Sequence, residues 1–175
     1  MGPFQLSSEA MAQTAQRITE IERQVKAAYL HKFTGFVEWP PGAFTGADSP
    51  IIIGVMGEDD LADELVNLVA GRTVNGRSLR VRKLQRSDSP TDIHVLFLGR
   101  LERNRLIEIY AALKGRPVLT VTDSDGAYAL GSMVNFVVTQ DRLRFEVALA
   151  PVEAGRLKIS ALMLAAAYKV VKEAL

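Results

Sequence analysis

The 175-residue chain contains no cysteine. That absence excludes disulfides, thiolate metal sites and cysteine nucleophiles together, and it leaves the compartment open, because disulfide-free proteins occur in reducing and oxidising spaces alike. With only two histidines, a metal centre would have to rest mainly on carboxylates. An excess of charge of one sign is also missing: 21 Lys and Arg against 20 Asp and Glu leave a net +1, which gives no overall attraction for a polyanion such as nucleic acid. No uncharged run approaches the ~20 residues needed to span a bilayer, so membrane insertion is not expected. The best such stretch, ISALMLAAAY at 159–168, is expected to be a core helix. The start, MGPFQLSSEAMAQTA, has neither a basic n-region nor an apolar h-region, so no signal peptide stands there. Its Met-Gly-Pro has the look of a cloning remnant, and residues 1–14 are expected to be a disordered or artificial lead to one domain over 15–175.

What is present reads as a folded protein, with 48% hydrophobic and 23% charged residues. From Ala15 to Val37, Ile18, Ile21, Val25, Tyr29, Phe33 and Phe36 recur at three- and four-residue steps, which predicts one long amphipathic helix. Trp39-Pro40-Pro41 should end it near Glu38. IIIGVMG at 51–57 reads as a buried strand and EDDLADELVNLVAG as a helix with an acidic first turn and a glycine stop. An Asn75-Gly76 turn leads into a strand in which Leu79 and Val81 alternate with Arg80 and Arg82. IHVLFLG, LERNRLIEIYAALKG and RPVLTVTD continue the alternation of strand and helix, and the β-rich runs around Thr139 to Asp141 predict an antiparallel hairpin. Val152 to Leu175 is expected to be helical. The fold class is therefore α/β: a single layered domain with a mostly parallel sheet and a C-terminal antiparallel hairpin, preceded by a long N-terminal helix and closed by a C-terminal helix.

Motifs for catalysis are weak. Gly54 and Gly57 do not complete G-x-G-x-x-G, and Glu58, Asp59 and Asp60 put negative charge where a phosphate would sit. Asp123-Ser124-Asp125-Gly126 lacks the glycine and glutamate positions of a calcium loop. His31 and His94 belong to no recognisable triad and are read as structural. Arg77, Arg80, Arg82, Lys83 and Arg86 form a basic cluster without interleaved aromatics, which argues against nucleic acid. These residues leave binding ahead of catalysis, with no cofactor and no metal called for.

AAYLHKFTGFVEWP at 27–40 resembles the opening signature of the YfiR family, and the resemblance continues in order through VNGRSLRVRKL, IHVLFLG, GRPVLTVTD, GSMVNF, LRFEV and LKISALML. It implies a small periplasmic α/β protein, its signal peptide removed, that binds the periplasmic domain of a membrane diguanylate cyclase and holds it inactive, so controlling cyclic-di-GMP signalling and biofilm formation. An outer-membrane-associated lipoprotein would be a second partner. A small-ligand sensor relaying metabolite binding, with a pocket near Trp39, is the alternative. Members of the family often carry cysteines, one of them near the strand that here reads Ile93-His94-Val95, and this chain has none. The family's FEIN-like motif stands here as Phe145-Glu146-Val147-Ala148, without the terminal amide.

A binding regulator needs exposed apolar groups with a few polar ones to fix register. The matched motifs offer Phe33, Phe36 and Trp39, with Glu38 on the rim, and Asn135, Phe145 and Glu146 from the hairpin. Each also has a plain reading as core or as a loop anchor. Ahead of the matched region, the stripe of Ile18, Ile21 and Val25 could pack within the chain or against a second subunit, and a homodimer is expected.

Overall fold

The computed structural model describes residues 7–172. Its elements are α1 (Ser8–Phe36), β1 (Val37–Glu38), β2 (Ile51–Met56), α2 (Asp59–Val69), β3 (Thr73–Val74), β4 (Arg77–Leu84), β5 (Val95–Leu98), α3 (Arg103–Leu113), β6 (Leu119–Thr122), β7 (Val134–Thr139), β8 (Arg142–Ala148), α4 (Leu149–Ala154), β9 (Lys158–Ile159), α5 (Ala161–Ala166) and β10 (Lys169–Val171), with short 3₁₀ turns at Pro41–Ala43 and Ala127–Leu130. Eight strands form one sheet in the order β10-β8-β7-β6-β5-β2-β4-β3. Only the β7–β8 and β3–β4 neighbours are antiparallel; the rest run parallel. This is the α/β layered fold expected from the alternation of strands and helices.

Two cores flank the sheet. On β5, Val95 and Phe97 face α1 and α2, while Leu96 and Leu98 face α3, so every side chain of this central strand is buried. That explains why its sequence is continuously apolar rather than alternating. The larger core contains an aromatic group: the rings of Phe33 and Phe145 meet edge to face at 5.1 Å, Tyr29 lies 5.3 Å from Phe145, and Phe136 lies 6.2 Å from Phe33. Edge-to-face rings at these spacings add to the burial energy of each side chain.

The long helix departs from expectation at both ends. It starts at Ser8, where the Ser7 side chain accepts a hydrogen bond from the Ala10 amide, a serine N-cap inside what read as a lead. Residues 1–6 of that lead lie outside the described residues. The helix stops at Phe36, two residues early, because Val37 and Glu38 pair antiparallel with Ile159 and Lys158. Its buried line is also shifted: Lys26, Ala27, Leu30, Phe33 and Thr34 are buried, whereas Ile18 and Ile21 are exposed.

The C-terminal region is corrected as well. Val152 to Leu175 is not one helix; within its described part lie the end of α4, β9, the six-residue helix α5 and the terminal strand β10, which pairs parallel with β8. ISALMLAAAY is not a core helix either, since Leu162 is 72% exposed and Tyr168 52%, and only Met163 of α5 is buried. Gly155 breaks the helix: a Cβ there would lie 2.8 Å from the Arg116 carbonyl oxygen, so the chain passes too close to a neighbouring backbone for any other residue.

Both hairpins turn through two residues of positive φ, Asn75 (52°) and Gly76 (80°) in one, Gln140 (51°) and Asp141 (59°) in the other. The first pair suits a turn of this hand and the second carries the left-handed cost without glycine. Asp141→Gly should raise stability by about 1 kcal/mol, read as a higher urea midpoint at unchanged slope, and no rise would show that Asp141 is held by something other than the turn.

Candidate functional site

The seven residues singled out from the sequence fall into three environments. Phe33 and Phe145, 1% and 2% exposed, are partners in the aromatic core and present nothing to solvent. Phe36, Glu38 and Trp39 lie at the end of α1, with Glu38 exposed and the two rings half-buried. Asn135 and Glu146 face each other across the β7–β8 ladder. Their neighbours Val134, Phe136, Phe145 and Val147 belong to the α1 core, so alternation turns Asn135 and Glu146 to the opposite face, beside the 3₁₀ turn at Ala127–Leu130.

Trp39 acts as a latch. Its indole N–H donates to the His94 carbonyl oxygen at 3.1 Å, and its ring stands edge-on to Phe44 and His94. His94 and Phe44 stack at 4.3 Å, and the Arg77 guanidinium lies 3.7 Å over the other ring's centroid while donating to the Gly46 and Ser49 carbonyls. His94 accepts from the Ile52 amide at Nδ1 and bonds the Ala43 carbonyl at Nε2, which fixes the neutral Nε2–H tautomer. The proline-rich segment after α1 is thereby fastened to the start of β5. Burial, more than nearby Arg77, holds the His94 pKa below its usual 6.5.

A group missed by sequence reading is Lys26, a lone cation on the buried line of α1. Its ammonium is 2.7 Å from Asp123 Oδ2 and 3.7 Å from Glu58 Oε2, and sits 5.8 Å from the Phe97 ring centroid. Glu58 and Asp123 follow the carboxyl ends of β2 and β6, the edge where open α/β sheets bind ligands. Here that edge is filled. A Cβ on Gly99 would lie 3.0 Å from the Gly57 carbonyl oxygen, so the loops after β2 and β5 meet backbone to backbone and Lys26 covers the gap beside them. Burial raises the Glu58 pKa, partly offset by Lys26.

On the opposite face a cleft of about 520 Å³ lies between α3, the Ala127–Leu130 turn and α4, lined by Tyr110, Thr120, Tyr128, Met133 and Pro151 among others. Three buried polar atoms lack a well-formed hydrogen bond among the described residues: the Tyr110 and Tyr128 hydroxyls, whose residues line the cleft, and Asn135 Oδ1, whose residue does not. The Tyr110 hydroxyl faces those of Ser132 and Thr122, which donate to the Val134 and Leu98 carbonyls and keep lone pairs that can accept from it. Burial and the Glu146 carboxylate together push the Tyr128 phenol far up. Asn135 and Glu146 were legible as polar breaks in apolar strands; Tyr128 and Tyr110 carried no signal. Trp39 lines neither this cleft nor the 170 Å³ one beside His94.

Among the described residues no group of three or more His, Asp or Glu is placed to hold a metal ion, and no helix is long and apolar enough to cross a membrane. The basic cluster is tied up locally, with Lys83 paired to Asp63 and Arg82 donating to the Thr91 carbonyl. Fold and strand order thus define a layered α/β domain with a mostly parallel sheet. The chain belongs to the YfiR/HmsC-like family, whose pattern matches residues 23–168. The match points to a regulatory role in cyclic-di-GMP signalling through a partner protein. No curated protein matches the chain.

Lys26→Met should cost about 2 kcal/mol, less than the ~3–5 for a fully buried pair because both carboxylates keep some solvent contact. Adding Asp123→Asn should restore part of it, and a Lys26→Met protein of native stability would show that the ion pair contributes nothing. His94 gives a pH signature. A base whose folded pKa is depressed contributes stability that is present above its unfolded value of 6.5 and is lost as pH falls through the folded value. The urea midpoint should therefore drop between pH 7 and pH 5.5, and His94→Asn should flatten that drop; equal slopes in both proteins would exclude His94 as the cause.

Proposed function

We propose that the protein is a periplasmic regulator that binds the periplasmic sensory domain of an inner-membrane diguanylate cyclase and represses it without catalysis. The family match over residues 23–168 carries this reading. The side-chain chemistry supports it: the ionisable groups of the sheet edge are engaged in holding α1, and both histidine-rich and phosphate-type chemistry lack a framework. The binding surface fits the end of the domain where α1, β1, β9 and α5 meet. There Leu162 and Tyr168 are exposed, Phe36 and Trp39 are half-exposed, and Glu38 and Lys158 supply opposite charges at paired positions. Large apolar side chains rimmed by charge suit a protein partner. An outer-membrane-associated lipoprotein competing for the same protein would relieve the repression.

A second reading, a small-ligand sensor, draws on the cleft beneath the Ala127–Leu130 turn, which the Tyr110 and Tyr128 phenols line. The two readings separate by mutation. Leu162→Asp with Tyr168→Asp should weaken binding of the purified cyclase sensory domain at least about tenfold and restore cyclase output, whereas Tyr128→Phe should leave both unchanged. Unaltered cyclic-di-GMP after deletion of the gene, with the cyclase present, would refute the repressor reading.

A further inference from the structure

The first half of α1 stands clear of the domain. Every residue from Met11 to Ile21 is exposed, so Ser8–Ile21 forms an arm about 21 Å long. Met11, Ile18 and Ile21 are 62%, 54% and 53% exposed, which rules out packing of that stripe within the chain. A solvated helix of this length is marginal by itself and has no reason to expose three large apolar side chains. The arm also lies almost entirely ahead of the family match, which begins at residue 23.

The spacing of the arm is more specific than amphipathicity. Met11, Thr14, Ile18, Ile21 and Val25 follow steps of three, four, three and four, the a and d positions of a heptad, with Ile18 and Val25 at a. In the same register Arg23, Lys26, Ala27 and Leu30 fall at f, b, c and f. Those are the positions the chain uses against its own domain, Arg23 pairing with Asp60 and the other three being buried. The free stripe is therefore turned to nearly the opposite side of the helix from the domain-facing line, roughly 175° at ~100° per residue, and a partner helix can reach it. Arg17 falls at g and Glu22 at the following e. In a parallel pair each g faces the e of the next heptad on the other helix, so Arg17 meets Glu22 of the second copy twice over by symmetry. An antiparallel pair sets g against g and e against e, bringing like charges together. Neither residue is ion-paired within its own chain among the described residues.

We infer that a second copy of this chain occupies the stripe, the two arms forming a short parallel coiled coil over Met11–Val25 with Arg17–Glu22 pairs across the seam. The seam joins the two domains at the same end and leaves α5 and the Ala127 turn free on each.

Sedimentation equilibrium of the full chain tests this. The wild type should show a concentration-dependent dimer, and Ile18→Asp with Ile21→Asp should raise its dissociation constant well over tenfold while the fluorescence spectrum of Trp39, inside the domain, stays unchanged. Arg17→Glu alone and Glu22→Arg alone should each weaken the dimer, and the two together should restore it. Because the chain has no cysteine, Thr14→Cys gives a clean probe of direction: identical d positions face each other only in the parallel pair, so mild oxidation should link the dimer covalently. A monomer at all concentrations, a dimer indifferent to the Ile18 and Ile21 substitutions, or a dimer that fails to cross-link through Thr14→Cys would each overturn the inference. Loss of the dimer with cyclase binding intact separates this inference from the proposed function.

Discussion

One ammonium group decides how the long helix sits. Lys26 is placed on the buried line of α1, where a cation without partners would cost several kcal/mol, and only the carboxyl edge of the sheet offers two carboxylates at once. The helix is thus fixed in rotation and in translation, because sliding it by one turn would carry the ammonium about 5.4 Å from its place between the two carboxylates. That fixed rotation sends Leu30 and Phe33 into the aromatic core and turns the arm's apolar stripe away from the domain. The same contact fills the edge at which parallel sheets usually bind ligands, so the fold's ordinary binding place is used for architecture.

The two faces of the sheet consequently differ in kind. The face under α1 is closed by four aromatic rings and contains no polar atom in want of a partner among the described residues, which suits a rigid support. The other face keeps hydroxyls on β6, an amide on β7 and the Glu146 carboxylate on β8, and all three unpartnered buried atoms lie there. An unsatisfied buried polar group costs roughly 1–3 kcal/mol, so a molecule that bonded one of these atoms would stabilise the fold by binding. Any coupling between such a molecule and the α5 surface has a short physical route, since β8 carries Glu146 and pairs with β10 immediately after α5.

Much of the fold was legible because its strands are buried on both faces and its helices begin and end at polar or glycine signals; Ile51–Met56, Val95–Leu98 and the 139–142 hairpin stand close to where patterning put them. The C-terminal region was not, since an apolar, alanine-rich run reads as helix whether it fills a core or caps a sheet edge, and a three-residue terminal strand exists only through its pairing with β8. Strand order is likewise a tertiary fact. Of the site residues, Asn135 and Glu146 announced themselves as polar breaks in apolar strands, while Lys26 looked like one more charge on a helix. Its role depends on Asp123, 97 positions away.

The missing cysteine can now be given a physical meaning. Relatives resembled by this sequence often carry one near the strand start that here reads Ile93-His94-Val95, and a disulfide there would restrain neighbouring segments covalently. In this chain His94 bonds the Ile52 amide and the Ala43 carbonyl, stacks on Phe44 and receives Trp39 at its own carbonyl, so one residue ties three segments by non-covalent means. Such a latch ignores reductants and answers to protons, because a charged imidazole can no longer accept from the Ile52 amide. With no cysteine in the chain there is no thiol to control this latch, and protonation of His94 is expected to loosen the 40–50 segment by removing the Ile52 bond.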